Sequence, residues 1–121
     1  MRPETRDTSY LWDMLQASRE IAEFTRDVRL ATYLQDRKLQ LAVERALEII
    51  GEAASRVTPA FRDAHPEIPW RKIIAQRNVL SHEYGEIEHE LVWEIVSDHL
   101  PALIAQIEPL LPPPPKDSSG P

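Results

Sequence analysis

Leu39, Val43, Leu47, Ile50, Ala54 and Val57 follow one another at steps of four, four, three, four and three. A helix buried along one side keeps that rhythm, because about 3.6 residues per turn return every third or fourth side chain to the same face. Such a stripe needs other helices to cover it. Leu11, Met14, Leu15, Ile21, Phe24 and Val28 mark the apolar side of one, capped at Asp7, Thr8 or Ser9 and running to about Asp27. Thr32 caps the central helix, which runs to about Arg56. Thr58-Pro59 opens a short helix that Pro66 ends near His65. Trp70, Ile73 and Ile74 share a face behind Pro69, starting a helix that Gly85 stops after Tyr84. Leu91, Val92, Ile95, Val96, Leu103, Ile107 and Leu110 line a last stretch from Glu86 to Leu111, with Pro101 expected to kink or break it near Asp98. No stretch alternates like a strand. The predicted fold is all-α: an up-and-down bundle of four main helices plus a short one.

Residues 1–7 are polar and read as a flexible N-terminus, residues 8–111 as one helical domain, and residues 112–121 as a disordered, proline-rich tail. The first residues lead into no apolar signal core, and no apolar run approaches the roughly 20 residues of a membrane span. With no cysteine, disulfides and thiolate metal sites are excluded. A cytoplasmic protein is expected. A net charge of -6 argues against nucleic acid as a partner of the whole surface. The charges are segregated, however. Residues 56–77 carry Arg56, Arg62, Arg71, Lys72 and Arg77 against Asp63 and Glu67, whereas residues 83–98 carry six acidic side chains and no Lys or Arg. A local basic surface fits that distribution.

Residues 77–84, Arg-Asn-Val-Leu-Ser-His-Glu-Tyr, stand out within this frame. The face of Trp70, Ile73 and Ile74 continues into Arg77, Leu80, Ser81 and Tyr84, so an apolar stripe turns polar without leaving its face; Asn78 and His82 form the adjacent row. A buried, unpaired Arg is expensive, so this face is expected to open into a cleft or a subunit interface. Five residues at about 100° each set Arg77 and His82 roughly 140° apart on a regular helix. The two act together if the helix loosens before Gly85, or if two copies of the motif face each other across a two-fold axis. Gly51 interrupts the central stripe at about 1 kcal/mol relative to Ala, which a close helix crossing explains. Glu52 beside it either points towards the motif or is simply solvated.

The spacing Arg77-x4-His82-x-Tyr84 resembles the R-x4-H-x-Y form of the R-x4-6-H motif in HEPN domains, specifically HepT-like toxins. Asp36-Arg37-Lys38-x-Gln40, Leu47-Glu48-Ile49-Ile50-Gly51-Glu52-Ala53-Ala54, His65-Pro66-Glu67-Ile68-Pro69-Trp70 and Asp98-x-Leu100-Pro101 are similar to HepT-family blocks and occur in the family's order, across residues 8–111. The resemblance implies a helical bundle and a homodimeric toxin ribonuclease. It also implies an RNA substrate and a nucleotidyltransferase (MntA-like) antitoxin that attaches AMP to Tyr84. An alternative within the same resemblance is a non-catalytic HEPN module that binds nucleotide or RNA and partners a nucleotidyltransferase.

The residue types suit metal-independent RNA cleavage, in which the 2′-hydroxyl attacks the neighbouring phosphorus. Histidine titrates near working pH and moves protons, so His82 is general acid or base. The planar guanidinium of Arg77 matches phosphate oxygens and offsets their developing charge. Asn78 orients His82 or a phosphate, with Ser81 and Glu83 as further supporting candidates. No cofactor is expected. His82, Glu86 and His89 have a spacing compatible with zinc, but Gly85 interrupts the helix and no fourth ligand is evident, so no metal site is expected. His65 and His99 are read as structural, and Trp70 and Trp93 as core or interface residues.

Overall fold

The computed structural model describes residues 3–80 and 87–112, with side chains from Arg6 onward. These residues form α1 (Pro3–Phe24), α2 (Leu30–Gln35), α3 (Arg37–Arg56), α4 (Pro59–Ala64), α5 (Trp70–Ala75), α6 (His89–Glu94) and α7 (Leu100–Ile107). A 3-10 turn, Gln76–Asn78, extends α5; a π-helical segment, Ile95–His99, joins α6 to α7; a second 3-10 turn, Glu108–Leu110, ends α7. Among the described residues there is no strand. The protein is an all-α bundle whose main rods are α1, α3, α5 and the joined α6–α7. Two short helices, α2 and α4, accompany them where the sequence suggested one.

The pair α1–α3 is the centre of the bundle; α5 covers α3 and α7 covers α1. Val43, Leu47, Ile50, Ala54 and Val57 of the central stripe are buried, and so are Leu11, Met14, Leu15 and Ile21 opposite them. Fully burying one such aliphatic side chain stabilises the fold by about 1.5–3 kcal/mol. Two members of the expected stripes face solvent instead, Phe24 at 44% exposure and Leu91 at 43%. Phe24 is the last residue of α1. Beyond it the Thr25 hydroxyl donates back to the Ile21 carbonyl at 2.7 Å, and the chain turns through Asp27, whose φ of 59° is left-handed.

The central helix starts later than a cap at Thr32 would place it. Asp36 leaves helical geometry at φ -109° and ψ 91°, and its carboxylate accepts from the Leu39 N–H at 3.0 Å. That is an N-cap, so the chain starts a new helix at Arg37 instead of continuing from Thr32. The carbonyls released at the end of α2 are recovered by Gln40. Its buried amide donates to Tyr33 O at 2.9 Å and Leu34 O at 3.2 Å.

At the N-terminal end, α1 begins at Pro3 and not near Asp7. Asp7 is 4% exposed and ties α1 to α4, accepting from the Thr58 N–H at 2.8 Å and the Thr58 hydroxyl at 2.7 Å. Thr58 in turn caps α4 by accepting from the Phe61 N–H. Pro101 alters the helical register without ending the helix. The Leu100 N–H donates to Ile95 O, five residues back, and Pro101 then occupies the first turn of α7, where no N–H is required. The proline-rich residues 113–121 lie outside the described residues. No helix among the described residues is long and apolar enough to cross a membrane.

Candidate active site

The polar motif begins where α5 changes pitch. Trp70 and Ile73 are buried at 7% and 4% exposure, and the Trp70 indole N–H donates to His65 O at 3.0 Å, fixing the start of the helix. The helix was expected to run to Tyr84. It is α-helical only to Ala75, then tightens. The Val79 N–H donates to Gln76 O at 3.0 Å and the Leu80 N–H to Arg77 O at 3.2 Å, both three residues back. The α-helical register in which Arg77 and a residue five later diverge is therefore already lost by Leu80. Ser81, His82, Glu83 and Tyr84, together with Gly85, lie outside the described residues.

Arg77 is placed by Gly51. A Cβ built on Gly51 would lie 2.8 Å from Arg77 Cγ, 3.2 Å from Arg77 Cδ and 3.6 Å from Ile73 O. The aliphatic stem of Arg77 therefore crosses α3 where a side chain is missing, while Arg77 as a whole remains exposed. The guanidinium has no ion-pair or hydrogen-bond partner among the described residues. The expected close crossing at Gly51 is thus a contact with the functional side chain itself. Asn78 is exposed in the same turn. Glu52 does not turn towards the motif; its carboxylate pairs with Arg56 at 3.0 Å on the outer surface of α3.

The basic surface anticipated from the sequence lies alongside. Arg62, Arg71 and Lys72 line an open groove of about 1020 Å³ between α4 and α5, together with Asp63. These three cations have no ion-pair partner among the described residues, whereas Arg19, Arg26, Arg45 and Arg56 are each paired with a glutamate. On the other side of α5, Lys72 and Gln76 border a smaller cavity of about 190 Å³ with His99, between α3 and α7. Phosphate contacts suit the first of these surfaces.

The chain returns to described structure at Ile87, which is buried, and enters α6 at His89. His89 Nδ1 lies 3.6 Å from the Glu44 carboxylate of α3, and Glu44 is 6% exposed. Tyr33 of α2 is fully buried beside them; its ring centroid is 6.4 Å from that of His89 and 5.0 Å from that of Trp93. Burial, and then the Glu44 carboxylate, hold the Tyr33 phenol well above its ordinary pKa, so it stays protonated. Neither Glu44 nor Tyr33 was singled out from the sequence. A signal was present: Gln40, Glu44, Leu47 and Gly51 share one face of α3, so two polar residues sit at buried spacing.

The remaining residues named from the sequence have packing roles. The His65 ring lies 4.5 Å from that of Phe61, and its carbonyl receives the Trp70 indole. Trp93 is half-buried against Tyr33. Of the zinc-like spacing, His82 and Glu86 lie outside the described residues, and His89 faces Glu44. Among the described residues no three His, Cys, Asp or Glu side chains gather to hold a metal.

A family model described as "Ribonuclease HepT-like" matches residues 14–110. A protein of Thermococcus cleftensis named "Probable ribonuclease HepT" is 42% identical over 101 residues, covering 84% of this chain and 92% of its own length. Two proteins of Methanocaldococcus jannaschii, each named "Putative RNase", are also similar. One is 35% identical over 100 residues, covering 83% of this chain and 92% of its own. The other is 36% identical over 112 residues, covering 93% of this chain and 89% of its own. No solved structure matches this chain.

Proposed function

Because this chain belongs to the HepT-like ribonuclease family, we propose that it cuts RNA internally without a metal, using Arg77 and His82, as the toxin of a toxin–antitoxin pair. The observation that carries this reading is the fit of Arg77 over Gly51. The bundle leaves a gap in its central helix for the stem of this arginine, and the guanidinium is exposed and unpaired among the described residues. An exposed cation with no counter-ion among the described residues is suited to an external anion, and a phosphodiester offers the matching planar pair of oxygens. The basic groove along α4 and α5 extends that positive field to neighbouring phosphates.

In this mechanism the 2′-oxygen bonds to phosphorus as the bond from phosphorus to the 5′-oxygen breaks. The proton of the 2′-hydroxyl is taken up, and one is delivered to the leaving oxygen; His82 serves one or both transfers. Arg77 stabilises the charge on the non-bridging oxygens. The products are a 2′,3′-cyclic phosphate and a 5′-hydroxyl. Asn78 orients the substrate or His82, with Ser81 and Glu83 in support. Two chains form the working unit, each presenting its motif to a shared cleft.

Control falls to Tyr84 and a nucleotidyltransferase antitoxin. Each AMP attached to its phenol brings a negative phosphate and a bulky base, which compete with RNA for Arg77. The purified protein is expected to cleave RNA undiminished in EDTA and to leave cyclic phosphate ends. Co-expression with the antitoxin is expected to add AMP masses to the wild type but none to Tyr84→Phe, which stays toxic. Cleavage abolished by EDTA and restored by a divalent metal would overturn the mechanism. AMP masses persisting on Tyr84→Phe would place the modification elsewhere.

A further inference from the structure

The junction of α2, α3 and α6 contains three buried polar atoms with no hydrogen-bond partner among the described residues: Tyr33 Oη, Glu44 Oε2 and His89 Nδ1. Buried polar groups are normally bonded, and each one left unbonded destabilises the fold. Glu44 Oε2 and His89 Nδ1 lie 3.6 Å apart, just beyond hydrogen-bond range. An apolar pair of similar volume would fill this junction without removing a carboxylate from water, and such replacements are often neutral or stabilising. Filling the junction therefore does not by itself call for a carboxylate at position 44.

Its place on α3 does. Glu44 and Gly51 are seven residues apart on the same face, two turns or about 10 Å along the axis. Gly51 receives the stem of Arg77, the first residue of the motif; Glu44 faces His89, the first residue of α6 after it. The same rigid helix thus touches the chain on both sides of residues 78–88. We propose that Glu44 is a positioning residue of the ribonuclease, anchoring His89 and the start of α6 to α3 where the chain returns from the motif that begins at Arg77. Tyr33 walls the pair from solvent on the α2 side. Glu44 touches no reacting atom; it acts through the anchor, as the supporting shell of a catalytic constellation does.

The inference rests on the ribonuclease reading for its kinetic arm and not for its structural one. Glu44→Gln, His89→Gln and the double variant are compared with wild type in RNA cleavage and in amide hydrogen exchange. Each single change is expected to lower kcat about tenfold, as a small misplacement does, with KM unchanged. The double variant is expected to be no slower than the slower single one, since both remove the same anchor. Amide exchange is expected to speed up across residues 87–93 and to stay unchanged in α1 and the C-terminal half of α3. A purely structural pair would reduce the amount of folded protein without altering kcat per active site. Wild-type kcat in both single variants, or additive losses in the double one, overturns the proposal. If the wild type itself cuts no RNA, the ribonuclease mechanism fails, and the exchange arm still decides the anchor: unchanged exchange at residues 87–93 refutes it.

Discussion

His82→Ala and Arg77→Ala are each expected to lower RNA cleavage at least about 10²-fold while leaving the helical fold intact. The two losses have different origins. His82→Ala removes the group that moves protons, so the residual rate should lose the pH dependence contributed by an imidazole. Arg77→Ala removes a charge from the phosphoryl oxygens, so the loss should appear in kcat more than in KM. Arg77 is exposed and unpaired among the described residues, with only its stem packed on Gly51. Its removal should therefore shift thermal unfolding little. Mixing the two inactive chains gives a further reading. If the motifs share one cleft and the two residues serve from different subunits, mixed dimers recover part of the activity. Wild-type cleavage by either single variant would falsify the assignment, and a strictly monomeric, fully active protein would exclude the shared cleft.

Gly51→Ala is expected to separate stability from activity. In a helix interior, Ala is favoured over Gly by about 1 kcal/mol, and no left-handed backbone geometry at Gly51 opposes the change. The added methyl group would lie 2.8 Å from Arg77 Cγ, too close for both to stay. A flexible side chain yields before two packed helices do, so Arg77 moves off α3. Thermal stability should stay within about 1 kcal/mol of wild type, while cleavage should fall between about tenfold and about 10²-fold through misplacement of the cation. Adding Gly51→Ala to Arg77→Ala should cause no further loss, because the side chain it displaces is already gone. A Gly51→Ala protein that cleaves at the wild-type rate would show that the gap in α3 does not place Arg77 for catalysis.

Much of this was legible in the chain itself, for a physical reason. Helical periodicity is local, and the stripe from Leu39 to Val57 specifies an all-α protein with a buried central helix whatever packs against it. The order and spacing of Arg77, His82 and Tyr84, with the blocks around them, likewise carry the family. The local signals that misled were those that tertiary packing outweighs. Thr32 is an adequate cap, but Asp36 captures the Leu39 N–H and restarts the helix. Phe24 and Leu91 fit their stripes, yet among the described residues they stay largely exposed. Asp7 looked like a cap for its own helix and instead bonds Thr58, 51 residues away.

What only the tertiary structure decided is which residues on different helices meet. Periodicity places Gln40, Glu44, Leu47 and Gly51 on one face of α3, but it does not reveal what lies opposite. Packing brings the stem of Arg77 onto Gly51 and His89 to Glu44. A missing side chain and a buried charge acquire meaning only through such partners, because close packing and desolvation depend on atoms distant in sequence. The sequence thus determined the helices and the motif, and the packing of α5 and α6 against α3 determined where Arg77 stands.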